Sequence, residues 1–165
     1  MAQRRRSPLV AVCGASEASE TEAREAEEVG RLLAGHGAIV VCGGMGGVMA
    51  AVARGAASAG GLSIGLLPGG GVSAAAPDVT IALATGMGEM RNALIARCCA
   101  AMVAIGGGYG TLSEVGFALR LGRPVVALHS WEVRRPGARR ADPAIARADT
   151  AAAAVDWVMS KVTAG

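Results

Sequence analysis

Ala101-Met102-Val103-Ala104-Ile105 runs without a polar side chain into Gly106-Gly107-Gly108-Tyr109-Gly110-Thr111-Leu112-Ser113-Glu114. Beyond that turn, Leu112, Val115 and Leu119 recur at helical spacing. A compact apolar run, a glycine turn and an amphipathic segment, in that order, predict a strand that hands the chain to a helix at one edge of a sheet. The first N–H groups of such a helix have no intrahelical partner, and the helix dipole adds partial positive charge there. An anion such as phosphate is stabilised at that end. Glycines admit the ligand without Cβ clashes, Thr111 offers a hydroxyl, and Glu114 stands on the same turn of the helix.

The same alternation extends in both directions. Strands are expected at 9–13, 39–42, 63–67, 79–83, 101–105 and 125–129, and helices at 21–34, 47–59, 89–100, 111–121 and 150–162. The strand runs are continuously apolar, as in a sheet covered on both faces. Ser19-Glu20-Thr21-Glu22 reads as a capping box, and Gly35 and Gly37 stop the helix it opens. The fold predicted is α/β: one Rossmann-like, doubly wound, mostly parallel sheet with helices on both faces, over residues 1–165. Residues 1–7 form a basic tail, and 131–149 an Arg/Ala/Pro connector to the last helix. The Gly/Ala/Ser-rich stretch 68–77 is expected to cross the pocket edge as a mobile loop. Helix 111–121 is apolar on more than one side, which fits either central burial or a subunit contact.

Two further glycine-rich strand exits, Cys13-Gly14-Ala15-Ser16 and Gly43-Gly44-Met45-Gly46-Gly47, belong at the same carboxyl edge. Parallel α/β sheets bind ligands there, where the strand order reverses. The phosphate-binding set is therefore Gly14, Ser16, Gly43, Gly44, Gly46, Gly47, Gly107, Gly108, Gly110 and Thr111. The glycines at 43–47 do not complete a dinucleotide fingerprint, and Gly65-Leu66-Leu67-Pro68-Gly69 carries no acid for a ribose hydroxyl, which argues against NAD.

Gly106-Gly107-Gly108-Tyr109-Gly110-Thr111-x-x-Glu114 resembles the P-G-G-x-G-T-x-x-E signature of the LOG family, also labelled "lysine decarboxylase-like". That family includes cytokinin-activating phosphoribohydrolases. Its catalytic arginine precedes the motif by fifteen residues, the spacing of Arg91 from Gly106. The resemblance runs from about Val10 to Leu128. It implies that Arg91 holds a phosphate or purine-side group by its planar fork, with Asn92 beside it. It also implies that Glu114 steadies charge on a ribose carbon or activates water. Gly106 in place of the signature's proline, and Asn92 in place of its lysine, are similar to the molybdenum-cofactor carrier branch. Two functions stay open: a carrier of a phosphorylated, nucleotide-like ligand such as AMP or the molybdenum cofactor, and a phosphoribohydrolase that cleaves nucleoside 5′-monophosphates. The resemblance also implies a homodimer or homotetramer.

Composition narrows the classes further. The one lysine, Lys161, lies in the terminal helix, a poor position for the Schiff base of a pyridoxal-phosphate decarboxylase. Cys13, Cys42, Cys98 and Cys99 form no C-x-x-C pair and read as buried reduced thiols. With His36 and His129 isolated, no metal site and no covalently bound cofactor are expected. Net charge is +3, with basic clusters at Arg4–Arg6 and at 134–140 that lack interleaved aromatics, so nucleic acid is not the expected partner. No apolar run reaches membrane-spanning length and no signal core follows the basic start, so a cytoplasmic protein is expected.

Overall fold

The computed structural model describes residues 7–162; the Arg4–Arg6 cluster lies outside them. Thirteen elements follow in chain order. They are β1 (Leu9–Gly14), α1 (Glu20–Gly35), β2 (Ile39–Cys42), α2 (Val48–Ser58), β3 (Ser63–Leu67), β4 (Ile81–Ala84), a 3₁₀ turn (Gly88–Met90), α3 (Arg91–Cys98), β5 (Ala101–Ile105), α4 (Tyr109–Arg120), β6 (Val125–Leu128), β7 (Ile145–Ala148) and α5 (Ala151–Val162).

The seven strands make one sheet in the order β4-β3-β2-β1-β5-β6-β7, and every adjacent pair is parallel. The chain winds outward from β1 to β4, then returns to place β5 on the other side of β1. The carboxyl ends of β1 and β5, paired through Gly14 and Ile105, therefore border the crevice where strand order reverses.

Strand side chains alternate between two cores. Val10 and Val12 face the layer of α1, α2 and α5, with Val29, Leu33, Val52 and Val155. Ala11 and Cys13 face α3 and α4, with Ile95, Ala96, Val115 and Ala118. Small and β-branched residues dominate both layers and allow close packing of helix on sheet. Ser19 caps α1 with the full capping box: its hydroxyl accepts from Glu22 N–H at 3.2 Å, and Glu22 accepts from Ser19 N–H at 2.8 Å.

Four departures from the sequence reading have physical causes. The connector 131–149 contains β7, a short edge strand whose Ile145 and Ala148 are buried while Arg147 reaches out to Glu132 at 2.9 Å. The fourth strand begins at Ile81, because Ser63 and Thr80 exchange backbone-to-hydroxyl bonds of 3.1 Å that displace the regular ladder. The sixth strand stops at Leu128, because His129 takes φ 49°, outside any strand conformation. The third helix is also shorter than expected, since residues 88–90 form a 3₁₀ turn and Cys99 is extended.

Cys13, Cys42 and Cys99 are buried free thiols, but Cys98 is exposed. In α4, Val115 is buried while Phe117 is exposed. In the 134–140 cluster, Arg134 pairs with Glu132 and Arg135 with Asp142, both at 2.7 Å. Among the described residues, no helix is long and apolar enough to cross a membrane.

Candidate functional site

A cavity of about 420 Å³ opens at the carboxyl ends of β1 and β5. Gly14, Ala15 and Ser16 form one wall, Gly108, Tyr109, Gly110 and Thr111 a second, and Arg91, Asn92 and Glu114 line its interior side. Most of the residues selected from sequence thus meet in one space.

The helix α4 starts at this wall after Gly108, its extended N-cap residue (φ −102°), which carries no side chain to cap the first N–H groups. The first intrahelical bond runs from Leu112 N–H to Gly108 O at 3.1 Å, so the preceding N–H groups face the cavity end of the helix. The start of α2 differs: Val48 N–H donates to Ala15 O at 3.0 Å, and that terminus is used in holding the Gly14–Ser16 loop.

Arg91 is the decisive side chain. It is only 6% exposed, at the first residue of α3, and its Nε has no hydrogen-bond partner. Among the described residues, no carboxylate pairs with its guanidinium within 4.0 Å. A buried, unpaired cation is costly until an anion joins it. Asn92 donates to Ser113 Oγ at 3.0 Å, and Ser113 donates to Gly110 O at 2.7 Å. That chain ties α3 to the first turn of α4 and fixes the spacing of Arg91 from the helix terminus.

Glu114 is also 6% exposed. Burial pushes its carboxyl up to about 7, against the opposing pull of Arg91 and of the Cys13 thiol, with Glu89 adding a further push upward. Cys13 is itself pushed well above the ordinary thiol range, by burial first and by Glu114 second. The interior side of the cavity therefore carries a carboxyl that changes charge near neutrality, beside the Arg91 guanidinium.

The remaining selected glycines stand behind the cavity rather than on it. A side chain at Gly43 would overlap the Arg91 guanidinium, and one at Gly44 would meet Gly65 Cα at 2.9 Å. Gly46 and Gly47 pack on the Ala15–Ser16 backbone, and Gly107 makes room for Thr111. The loop 68–77 adds no wall to the cavity; Ala76 N–H binds Gly44 O at 2.8 Å. Sequence reasoning missed Cys13, Ala15, Glu17, Met45, Met49, Glu89 and Tyr109 as lining residues. Tyr109 and Met45 sat inside the glycine turns and were legible as walls; Met49 carried no signal.

Gly106, the first residue of the motif, adopts φ 50°, and a Cβ there would overlap the Glu22 carboxylate of the capping box. A proline ring, fixed near φ −65°, cannot occupy this backbone. Ser130 Oγ donates to Gly106 O at 2.5 Å, and His129 pairs with Glu25 at 2.9 Å, so the turn is held from the β6 side.

Comparison with known proteins gives a consistent family. The model of the SLOG cluster4 family matches residues 7–155. The molybdenum cofactor binding protein of Rippkaea orientalis superposes with a TM-score of 0.88 at 32% identity, over 95% of this chain and 98% of that one. The molybdenum cofactor carrier protein of Chlamydomonas reinhardtii superposes with a TM-score of 0.80 at 31% identity, over 96% and 99%. An uncharacterized protein of Archaeoglobus fulgidus is 42% identical over 119 residues, 72% of this chain and 78% of that one.

Proposed function

The chain belongs to the SLOG cluster4 family, and from that premise we propose that it is a carrier that binds a phosphorylated, nucleotide-like ligand of the molybdenum-cofactor type. One observation carries the reading: Arg91 is buried in the cavity with its Nε unpartnered, beside the uncapped start of α4. A ligand phosphate would accept from the N–H groups of residues 109–111 and from the Thr111 hydroxyl, while Arg91 neutralises its charge. Gly14, Ser16, Asn92, Gly108 and Gly110 form the surrounding walls. The likeness to the Rippkaea and Chlamydomonas proteins supports carriage of that cofactor as cargo. Exposed Glu17 and Glu89 at the rim oppose anions, so selectivity rests with the groups deeper in the cavity.

A second reading, hydrolysis of nucleoside 5′-monophosphates, is favoured by Glu114 alone. A buried carboxyl poised near neutrality can exchange a proton with water or with a leaving group. Incubation with AMP separates the two readings. A carrier shows a raised melting temperature with AMP and no adenine release above a heat-killed control. Adenine release that disappears in Glu114→Gln makes the protein a hydrolase.

A homo-oligomer is part of the proposal. Ile81 and Leu83 are exposed on β4, which among the described residues is an edge strand with no neighbour on its outer side, and a second copy would cover them. Light scattering of the wild type against Ile81→Lys tests that contact.

A further inference from the structure

Aromatic residues are scarce in this chain: Tyr109, Phe117, Trp131 and Trp157 are all it has. Two of the four meet at the rim of the cavity. Tyr109 is the first residue of α4 and lines the cavity, yet it is 83% exposed. Its ring lies 5.8 Å from that of Trp131 at an interplanar angle of 32°. The Trp131 indole N–H donates to Gly108 O at 3.2 Å, which fastens the indole to the turn that starts the helix. Trp131 thus braces Tyr109 from the side of the 131–149 segment.

An aromatic ring left this open contributes little to folding, because most of its surface stays in water. Its place is specific: Gly110 and Thr111, at the anion end of the helix, follow it directly in the chain. A ligand held by phosphate at that terminus would have its next groups within reach of the Tyr109 ring. We propose that Tyr109, braced by Trp131, is a stacking platform that selects ligands carrying a planar heteroaromatic ring on the phosphate arm. The proposal rests on the phosphate site described above and adds the ring to it. A flat, π-rich surface accepts purines and pterins alike, so the platform sets the class of ligand and leaves the individual heterocycle to other contacts.

The test pairs two probes that share a phosphate and a ribose and differ in the ring: AMP and ribose 5-phosphate. In a Trp157→Phe background Trp131 is the sole tryptophan, and its emission reports the platform. AMP is expected to change that emission, and ribose 5-phosphate to bind without doing so. Tyr109→Ala should weaken AMP by about tenfold or more while leaving ribose 5-phosphate within about twofold, and Tyr109→Phe should retain AMP binding. Because Tyr109 is exposed, these variants are expected to fold, and circular dichroism checks this. Equal weakening of both probes, or AMP binding unchanged in Tyr109→Ala, overturns the platform. If ribose 5-phosphate binds and AMP binds no tighter, the platform fails while the phosphate site stands. If neither probe binds, both readings fail.

Discussion

The guanidinium of Arg91 occupies the space that a side chain at Gly43 would need. The glycine that opens the second strand exit is therefore an absence shaped around a cation, one layer behind the cavity. The pairing makes Arg91 a residue held in place by packing rather than by a carboxylate. That has consequences for both stability and binding.

Arg91→Met should uncouple the two. Removing a buried unpaired charge removes its desolvation cost, so the ligand-free protein should melt no lower than wild type. Binding of AMP should fall by about tenfold to a hundredfold, the usual loss for hydrogen bonds to a charged group. Scanning calorimetry and titration calorimetry on the same preparation check the pair. A large drop in melting temperature would mean that the arginine is structural.

Gly43→Ala should act on the same space from the other side. Its methyl group would displace the Arg91 guanidinium, so AMP affinity should fall although residue 43 does not line the cavity. An affinity equal to wild type would show that the arginine tolerates displacement.

Thr111→Val keeps the shape of a buried residue and deletes the hydroxyl. A phosphorylated ligand should bind about 1–3 kcal/mol more weakly, and adenosine, which lacks the phosphate, should be unaffected. Titration calorimetry with AMP and adenosine measures the difference. Equal losses for the two would place the hydroxyl away from the phosphate.

Glu114 gives a pH dependence of defined sign. Its folded-state value of about 7 lies above the ordinary 4.5, so the folded protein holds this proton more tightly than the unfolded chain. The contribution to stability is full below pH about 4.5 and is lost progressively as pH rises from there through about 7, a loss on the order of 3 kcal/mol. Glu114→Gln should flatten that part of the curve of stability against pH, measured by denaturant unfolding from pH about 5 to about 8. A wild-type curve already flat there would show that the carboxyl ionises freely.

Gly106→Pro should destabilise the protein by about 3 kcal/mol or more, because proline cannot reach φ 50°. Glu22→Ala should not rescue it, since the obstacle is the backbone angle. Rescue would show that the carboxylate overlap alone excludes proline.

Much of this was legible in the chain because β1, β2 and β5 are continuous apolar runs ended by glycine, a pattern with few alternatives. Ala101–Ile105 into Gly106–Gly110 set the strand, the turn and the helix, and the fifteen-residue spacing brought Arg91 beside Glu114. What escaped has local causes. Strand β7 was hidden because Ile145-Ala146-Arg147-Ala148 is short, polar on its outer side and set in an Arg/Pro-rich segment. The glycines at 43–47 were read as ligand contacts, since sequence cannot distinguish a glycine that admits a ligand from one that admits a neighbouring side chain. Met45 enters the cavity from the turn 43–47, where only the glycines stand out, and Met49 enters from the first turn of α2, which leaves no motif.

The most direct test is to purify the protein from cells that make the molybdenum cofactor and to measure what it holds. After oxidation, pterin fluorescence should co-elute with the wild type, and Arg91→Met should carry about a tenth of it or less. A wild type without pterin, or an Arg91→Met protein that carries as much as the wild type, would contradict the account.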